Sequence, residues 1–497
     1  MLYGSAIWYN QYDPGIRAPA KKAIVRQFAK IQKRAAIIIS GAFRATAAEA
    51  LDIELYLLPM KMQLEARAEE TALRIVTGPA IGCPPAWKET RPRRQIQLGG
   101  LTPLETYIWK GCLKPAQGEP QEWESREAFI QAPWRPPPTT VIEGREQAMA
   151  SHDEIYMTHN IDRNLVIYTD GSGYQGHIGA SAYAPQIKST QRRHLGSDES
   201  ATVYAAELVG IDMATRLCQQ LQDRAGDRFL SATIFTDSQA AIKSIRQPGR
   251  ASGLQILSRI LQAIEDLSTL PVTIRWIPGH EGILGNEEAD KAAKNAAEMG
   301  RLGVAARFGL QDADQAAQIP SLAPGMPPGI YAPDICRLAA AMKATIRRGA
   351  KIAWERVWAS NSITAGPTRR LVRAPSKGLL RVYRGLQKAL SSVMVQMRTG
   401  RIGLSGFLAK IGIHESARCG CDEGIQTPKH VLLECEFYRD LRGEMLDKVG
   451  KLKLPGSGRL DYAALVSEPK AARYVAEFMI KTGLLNQFRA VQLTEGE

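Results

Sequence analysis

The stretch NLVIYTDGSG, residues 164–173, decides how the middle of this 497-residue chain is read. Leu165, Val166, Ile167 and Tyr168 form a β-prone apolar run, which ends on Asp170 and then breaks into Gly171, Ser172 and Gly173. An ionised carboxylate at the end of a buried strand is costly unless it is paired or bound to a cation. The same grammar recurs in ATIFTDSQ, where a second apolar run ends on Asp237. Adjacent strands of one sheet would bring both acids to a single edge.

Working outward, the strand candidates LVIYTD, IGASAYAP, ATIFTD and VTIRWIP alternate with helical runs at residues 201–222, 238–245, 254–267 and 286–298. This alternation predicts an α/β domain. Glu207 sits among small apolar residues in VYAAELVGI, and Asp290 lies on the helix GNEEADKAAK. Four acids on one edge would repel one another, a conflict that divalent cations remove. Hard Mg²⁺ prefers carboxylate oxygen, and a pair of such ions suits phosphodiester hydrolysis. Singly, each acid also fits a simpler role, since Asp170 before Gly-Ser and Asp237 before Ser could each be a cap or turn residue.

Taken in order, TDGS, AAEL, TDSQ and PGHEGILGNEEAD resemble a type 1 ribonuclease H domain. The resemblance implies a mixed five-stranded sheet with flanking helices, and metal-dependent hydrolysis of the RNA strand of RNA–DNA hybrids. Asp170, Glu207, Asp237 and Asp290 match the family's metal-binding tetrad, which takes two Mg²⁺ or Mn²⁺ ions. His280, ten residues before Asp290 in a Gly-rich loop, matches the family histidine that assists proton transfer and product release. Gly171, Ser238, Gln239 and Asn286 fall where relatives contact the hybrid, with Gln239 directed to the minor groove, where the 2′-hydroxyls are displayed. One departure is that SIRQPGRASGLQILSRILQ is not the Lys-rich, Trp-containing handle of some cellular relatives, so hybrid binding is expected to need help from elsewhere.

The formal charge of +14 points to a polyanionic partner, here an RNA–DNA hybrid or RNA. Residues 337–410 hold 16 Lys and Arg against the single acid Glu355, leaving 48 basic and 49 acidic residues elsewhere. The basic character therefore belongs to one segment, expected to be helical and to bind nucleic acid, although such runs are often only a solvated surface. Seven cysteines without framework spacing argue for reduced thiols or metal ligands. No apolar stretch reaches the roughly 20 residues of a membrane span and no signal peptide is evident, so a soluble, intracellular and non-secreted protein is expected.

CGCDEGIQTPKHVLLEC sets Cys419, Cys421, His430 and Cys435 at a spacing suited to one structural Zn²⁺. With its flanks, this stretch resembles the zinc-knuckle tail that follows the ribonuclease H domain in fungal non-LTR retrotransposon reverse transcriptases. LYGSAIWY and the stretch from Ile31 to Met60 resemble the thumb-like helices at the end of such a polymerase, with an apolar stripe of Ile24, Phe28, Ile31, Ala35 and Ile38. No Tyr/Phe-x-Asp-Asp pair is present, so the chain is expected to be the C-terminal part of a polyprotein.

The domains expected are a helical thumb-like remnant at 1–112, a Pro-rich linker at 113–158, and the ribonuclease H domain at 159–300. A second linker at 301–336, the basic helical segment at 337–410, and the zinc knuckle with terminal helices at 411–497 follow. Two rival readings are a catalytically idle nucleic-acid-binding relic and a truncated part of a complete reverse transcriptase.

Overall fold

A computed structural model of the chain describes residues 18–79, 122–127, 129–132, 134–158, 163–225, 229–249, 252–267, 269–307, 336–360, 365–452 and 461–492, with Ser5, Tyr9 and Leu113. Most of LYGSAIWY, the stretch from residue 80 to 112 and most of the expected 301–336 linker lie outside the described residues. The chain divides into two compact units, residues 1–14 with 67–348 and residues 15–66 with 349–497. No helix among the described residues is long and apolar enough to cross a membrane.

The first unit is built on one sheet of β1 (Thr140–Val141), β2 (Asn164–Tyr174), β3 (His177–Ala184), β4 (Ser189–Ser197), β5 (Ser231–Thr236) and β6 (Val272–Trp276), in the order β1-β6-β5-β2-β3-β4. The β2, β5, β6 and β1 neighbours are parallel, whereas β2, β3 and β4 form an antiparallel meander. Alternation along each strand divides the core. Leu165 and Ile167 of β2, with Ala232 and Ile234 of β5, pack on the helices α2 (Val203–Ala225), α3 (Gln239–Arg246) and α4 (Leu254–Asp266). Val166, Tyr168 and Phe235 face the other side, where α1 (Arg145–Thr158) contributes Met149 and Ile155 and α5 (Leu284–Arg307) contributes Ala289.

The fold is thus α/β, a mixed sheet with flanking helices, with six strands where five were expected. The sixth is β1, taken from the stretch expected to be linker; it adds Thr140 beside Ile274 and Val141 beside Arg275. Helix α1 comes from the same stretch. Strand β4 carries no apolar run, because STQRRHLGS places polar residues along a half-exposed outer strand. Nor does β2 end at Asp170. It leaves β5 after the pair Thr169 and Thr236 but continues beside β3 to Tyr174, with Asp170 opposite Ser181.

The second unit joins sequence-distant segments. Ala36, Ala42 and Leu51 pack on Val395, and Ala50, Ile53 and Met62 pack on Trp354 and Trp358. The expected thumb-like region is therefore not a separate body. In the helix Ala18–Ser40 the expected apolar stripe is not the buried face: Ile31 and Ile38 are 49% and 70% exposed, while Gln32, Ala36 and Ser40 are buried. The Gln32 amide is satisfied by Asp52 Oδ1 at 2.8 Å and by the Leu58 carbonyl, which lets a polar residue take the inner face.

The basic segment is not one body either. Its helix Ala339–Ala359 has residues to Arg348 in the first unit and those from Gly349 in the second. Two of its cations are structural. Arg337 is buried, donates to the Leu113 carbonyl at 2.7 Å and lies 4.2 Å from the Trp123 ring centroid. Arg398 is buried against Glu54. Arg370, Arg373, Lys377, Arg381 and Arg384 remain exposed.

Candidate active site and a cysteine-histidine cluster

The parallel register of β2 and β5 sets Asp170 and Asp237 side by side, each one residue past the pair Thr169 and Thr236. Helix α2 crosses above them and brings Glu207. One carboxylate oxygen from each of Asp170, Glu207 and Asp237 lies within 4.8 Å of the other two. The close approach of α2 to β2 depends on Gly171, since a Cβ there would lie 2.4 Å from the Glu207 backbone nitrogen. Gly171 therefore has a packing reason of its own.

Asp170 and Glu207 are buried, and Asp170 Oδ2 and Glu207 Oε2 have no hydrogen-bond partner among the described residues. Burial, then the charges of Asp237 and Asp290, pushes the Asp170 carboxyl up to about 7. Burial, then Asp170 and Asp237, pushes Glu207 up to about 9. Asp237 is raised by burial and by Asp290, while His280 acts against the rise. Such a cluster is a carboxylate set lacking its counter-charge. The donor set, three carboxylates of which Asp170 and Glu207 each keep one oxygen without a partner among the described residues, suits a hard divalent cation.

Asp290, on α5, stands outside this tight group and pairs with Lys294 one turn on, Nζ to Oδ2 at 2.6 Å. Its charge still reaches Asp170, Glu207 and Asp237. That pairing was readable from the i, i+4 spacing of Asp290 and Lys294 but was not anticipated. His280 is exposed in the loop after β6, with a left-handed backbone at φ 59°. Ser238 caps α3, its Oγ accepting from Ala241 N at 3.3 Å, and Gln239 Oε1 accepts from Lys243 Nζ at 3.3 Å. Asn286 is buried, and its Oδ1 has no partner among the described residues.

In the second unit, Cys419, Cys421, His430 and Cys435 come together, with one ligand atom of each within 4.8 Å of the others. Cys419 Sγ is 3.7 Å from Cys435 Sγ, and Cys421 Sγ is 3.2 Å from His430 Nε2. Two local devices set this up. The isolated bridge between Arg418 and Ile425 folds back the first pair, with Asp422 at φ 62° in the turn. A single wide turn over His430–Glu434, closed by Cys435 N to the His430 carbonyl at 2.8 Å, aligns two residues that are five apart. Glu434 Oε2 lies 3.6 Å from His430 Nδ1, which leaves Nε2 facing the sulfurs, an arrangement typical of metal-ligating histidines. Burial raises the Cys419 thiol, but hydrogen bonds from Cys421, Cys435 and His430 outweigh it and bring Cys419 down to about 7.

The sheet and its carboxylate edge define the class. Residues 162–298 match the family model described as RNase H, so this stretch of the chain is an RNase H domain. Over 131 residues the chain is 36% identical to the Pol polyprotein of equine infectious anemia virus, isolate 1369, a match covering 26% of this chain and 10% of that protein. The Pol polyproteins of isolate CL22 and of strain Wyoming match to the same extent. The chain thus spans about a tenth of the length of the curated relatives it matches. Among solved structures, the N-terminal RNase H domain of a Mycobacterium tuberculosis protein, fused to maltose-binding protein, is 20% identical, covering 29% of this chain and 98% of that one at a TM-score of 0.22.

Proposed function

We propose that the chain is a type 1 ribonuclease H that hydrolyses the RNA strand of RNA–DNA hybrids with divalent metal. The observation that carries this reading is the convergence of Asp170, Glu207 and Asp237 within 4.8 Å, with one orphaned oxygen each on Asp170 and Glu207, inside the block that matches RNase H. Those three side chains would hold Mg²⁺ or Mn²⁺, with Asp290 completing the set from α5. When bound, the ions supply Lewis acidity to the scissile phosphate and its attacking water.

The chain's own residues do the rest. The buried carboxylates keep a fixed, water-poor edge for the phosphate, and Asn286 offers an unpaired Oδ1 to the hybrid. Gln239 and Ser238 lie at the start of α3 beside Asp237, where the RNA 2′-hydroxyls are to be read. His280, whose ring is exposed and whose charge acts on Asp237, moves protons at this edge. The exposed row of Arg370, Arg373, Lys377, Arg381 and Arg384 in the second unit is the nucleic-acid-binding aid.

The same proposal covers the tail. Cys419, Cys421, His430 and Cys435 hold one structural Zn²⁺, as a knuckle of the kind found after the ribonuclease H domain in fungal non-LTR retrotransposon reverse transcriptases. The chain is then a retrotransposon-derived polyprotein segment. The deciding experiment is incubation with a labelled RNA–DNA hybrid, with and without Mg²⁺, beside Asp170→Asn. RNA-strand cleavage that needs metal and is lost in the variant supports the reading. A folded, hybrid-binding protein that cleaves nothing overturns it.

A further inference from the structure

The stretch 140–158 precedes the block that matches RNase H, yet four separate contacts tie it to that block. Strand β1 pairs with β6, the strand that feeds the His280 loop, and Ile274 N donates to the Thr139 carbonyl at 3.0 Å. Glu143 Oε2 meets Arg275 Nη1 at 3.3 Å. Arg145 Nη2 reaches Glu281 Oε1 at 2.5 Å. His152, buried on α1, has Nε2 2.8 Å from the Tyr168 hydroxyl, two residues before Asp170.

Glu281 is the informative member. It stands between His280 at φ 59° and Gly282 at φ 78°, two left-handed residues in succession around it. A non-glycine residue keeps such a backbone only when its surroundings hold it there. Below the loop, Ile277 and Ile283 share a buried cluster with Val166, Tyr168 and Phe235, against which Met149 and Ile155 of α1 pack. The loop backbone also presses on the site: a Cβ on Gly279 would lie 2.6 Å from Asp237 Oδ2.

We propose that residues 140–158 are a working part of the site, with Arg145 as a positioning residue. Through Glu281, Arg145 latches the loop so that His280 stays beside Asp237. The pair is half-exposed and adds little to stability, so its effect falls on the placement of the loop. This inference rests on the ribonuclease reading, deepening it by assigning an element outside the matched block to the same reaction.

The test uses the full chain with Arg145→Ala, Glu281→Ala, and the exchanged pair of Arg145→Glu with Glu281→Arg. Each single variant is expected to lower kcat on a labelled hybrid about two- to fivefold, with KM and Tm unchanged, because so exposed a pair is a weak latch and misplacement of a reacting group acts on the chemical step. The exchanged pair should recover most of the rate. In a His280→Ala background, Arg145→Ala should cost nothing further. Amide hydrogen exchange over residues 277–286 should rise in each single variant and fall back in the exchanged pair. Single variants with unchanged kcat, or an undiminished cost of Arg145→Ala once His280 is gone, would overturn the proposal. If the wild type cleaves no hybrid, the ribonuclease reading fails. Loop exchange then decides the latch by itself: a rise in Arg145→Ala supports it and no change overturns it.

Discussion

Glu54 Oε2 lies 2.8 Å from Arg398 Nε, and neither side chain is more than 1% exposed. The two residues are 344 positions apart, and both belong to the second unit. Arg398 also donates to the Val466 carbonyl at 2.9 Å, and the Tyr383 hydroxyl bonds to Glu54, whereas Glu54 Oε1 and Arg398 Nη2 have no hydrogen-bond partner among the described residues. Removing one member strands the other in the core. Glu54→Gln or Arg398→Met should destabilise the second unit by about 3–5 kcal/mol, whereas replacing both with apolar residues should cost less than the sum. Urea unfolding of the full chain, followed in the transition that the single variants shift, checks this.

The carboxylate edge makes a pH prediction. In metal-free protein, Asp170 and Glu207 have carboxyls raised to about 7 and about 9. The folded state therefore binds more protons than the unfolded chain. Stability from these groups is full below their unfolded pKa near 4, and is lost as pH rises through the folded values. Asp170→Asn and Glu207→Gln should raise Tm at pH 8 by at least about 2 °C and give no gain at pH 4. Added Mg²⁺ should raise the wild-type Tm at pH 8 and do little for either variant. A fall in Tm at pH 8 for both variants would contradict this account of the edge.

For the cysteine-histidine cluster, native mass spectrometry of the full chain is expected to find one zinc. Cys435→Ser should lose it, and a strong chelator should release it and loosen the second unit. Structural zinc sites contribute binding energies of about 10–16 kcal/mol in small peptides, so the effect should be large. Protein that purifies without zinc and gains no Tm when zinc is added would argue for ordinary buried thiols.

Glu124 holds two helix starts in the first unit. Its carboxylate accepts from Ser252 Oγ at 2.5 Å, Gly253 N at 2.7 Å and Ala339 N at 2.7 Å, at the beginnings of α4 and of the helix Ala339–Ala359. A negative charge shared by two N-termini is favoured by both helix dipoles. Glu124→Ala should cost about 2–4 kcal/mol, the loss of two caps, and Glu124→Gln less. Thermal unfolding of both variants separates the charge from the hydrogen bonds.

The acids of the site were readable because each is embedded in a local signal, an apolar run ending on Asp170 or Asp237 and a helix otherwise small and apolar around Glu207. Strand β4 was not, since an outer strand shows water one face and spells no apolar run. Nor was the buried face of the helix Ala18–Ser40, where Gln32 lies inward because Asp52 and Leu58 satisfy it, contacts that no periodicity encodes. Charge counting located the basic segment, but it could not separate the buried Arg337 and Arg398 from the exposed Arg373 and Arg384. The spacing of Cys419, Cys421, His430 and Cys435 announced a cluster; the wide turn that closes it is a backbone choice without a composition signature.

The second unit draws on residues 15–66 and on residues 349–497, with a whole α/β unit synthesised between them. During translation, the surfaces of Ala36, Leu51 and Ile53 emerge on the order of tens of seconds before Val395, Trp354 and Trp358 exist to cover them. Glu54 likewise waits for Arg398. The first unit can close in that interval, so the six-stranded sheet forms early and the second unit last. A ribosome stalled before residue 349 would carry a finished sheet while the early helices still lacked the residues that cover them.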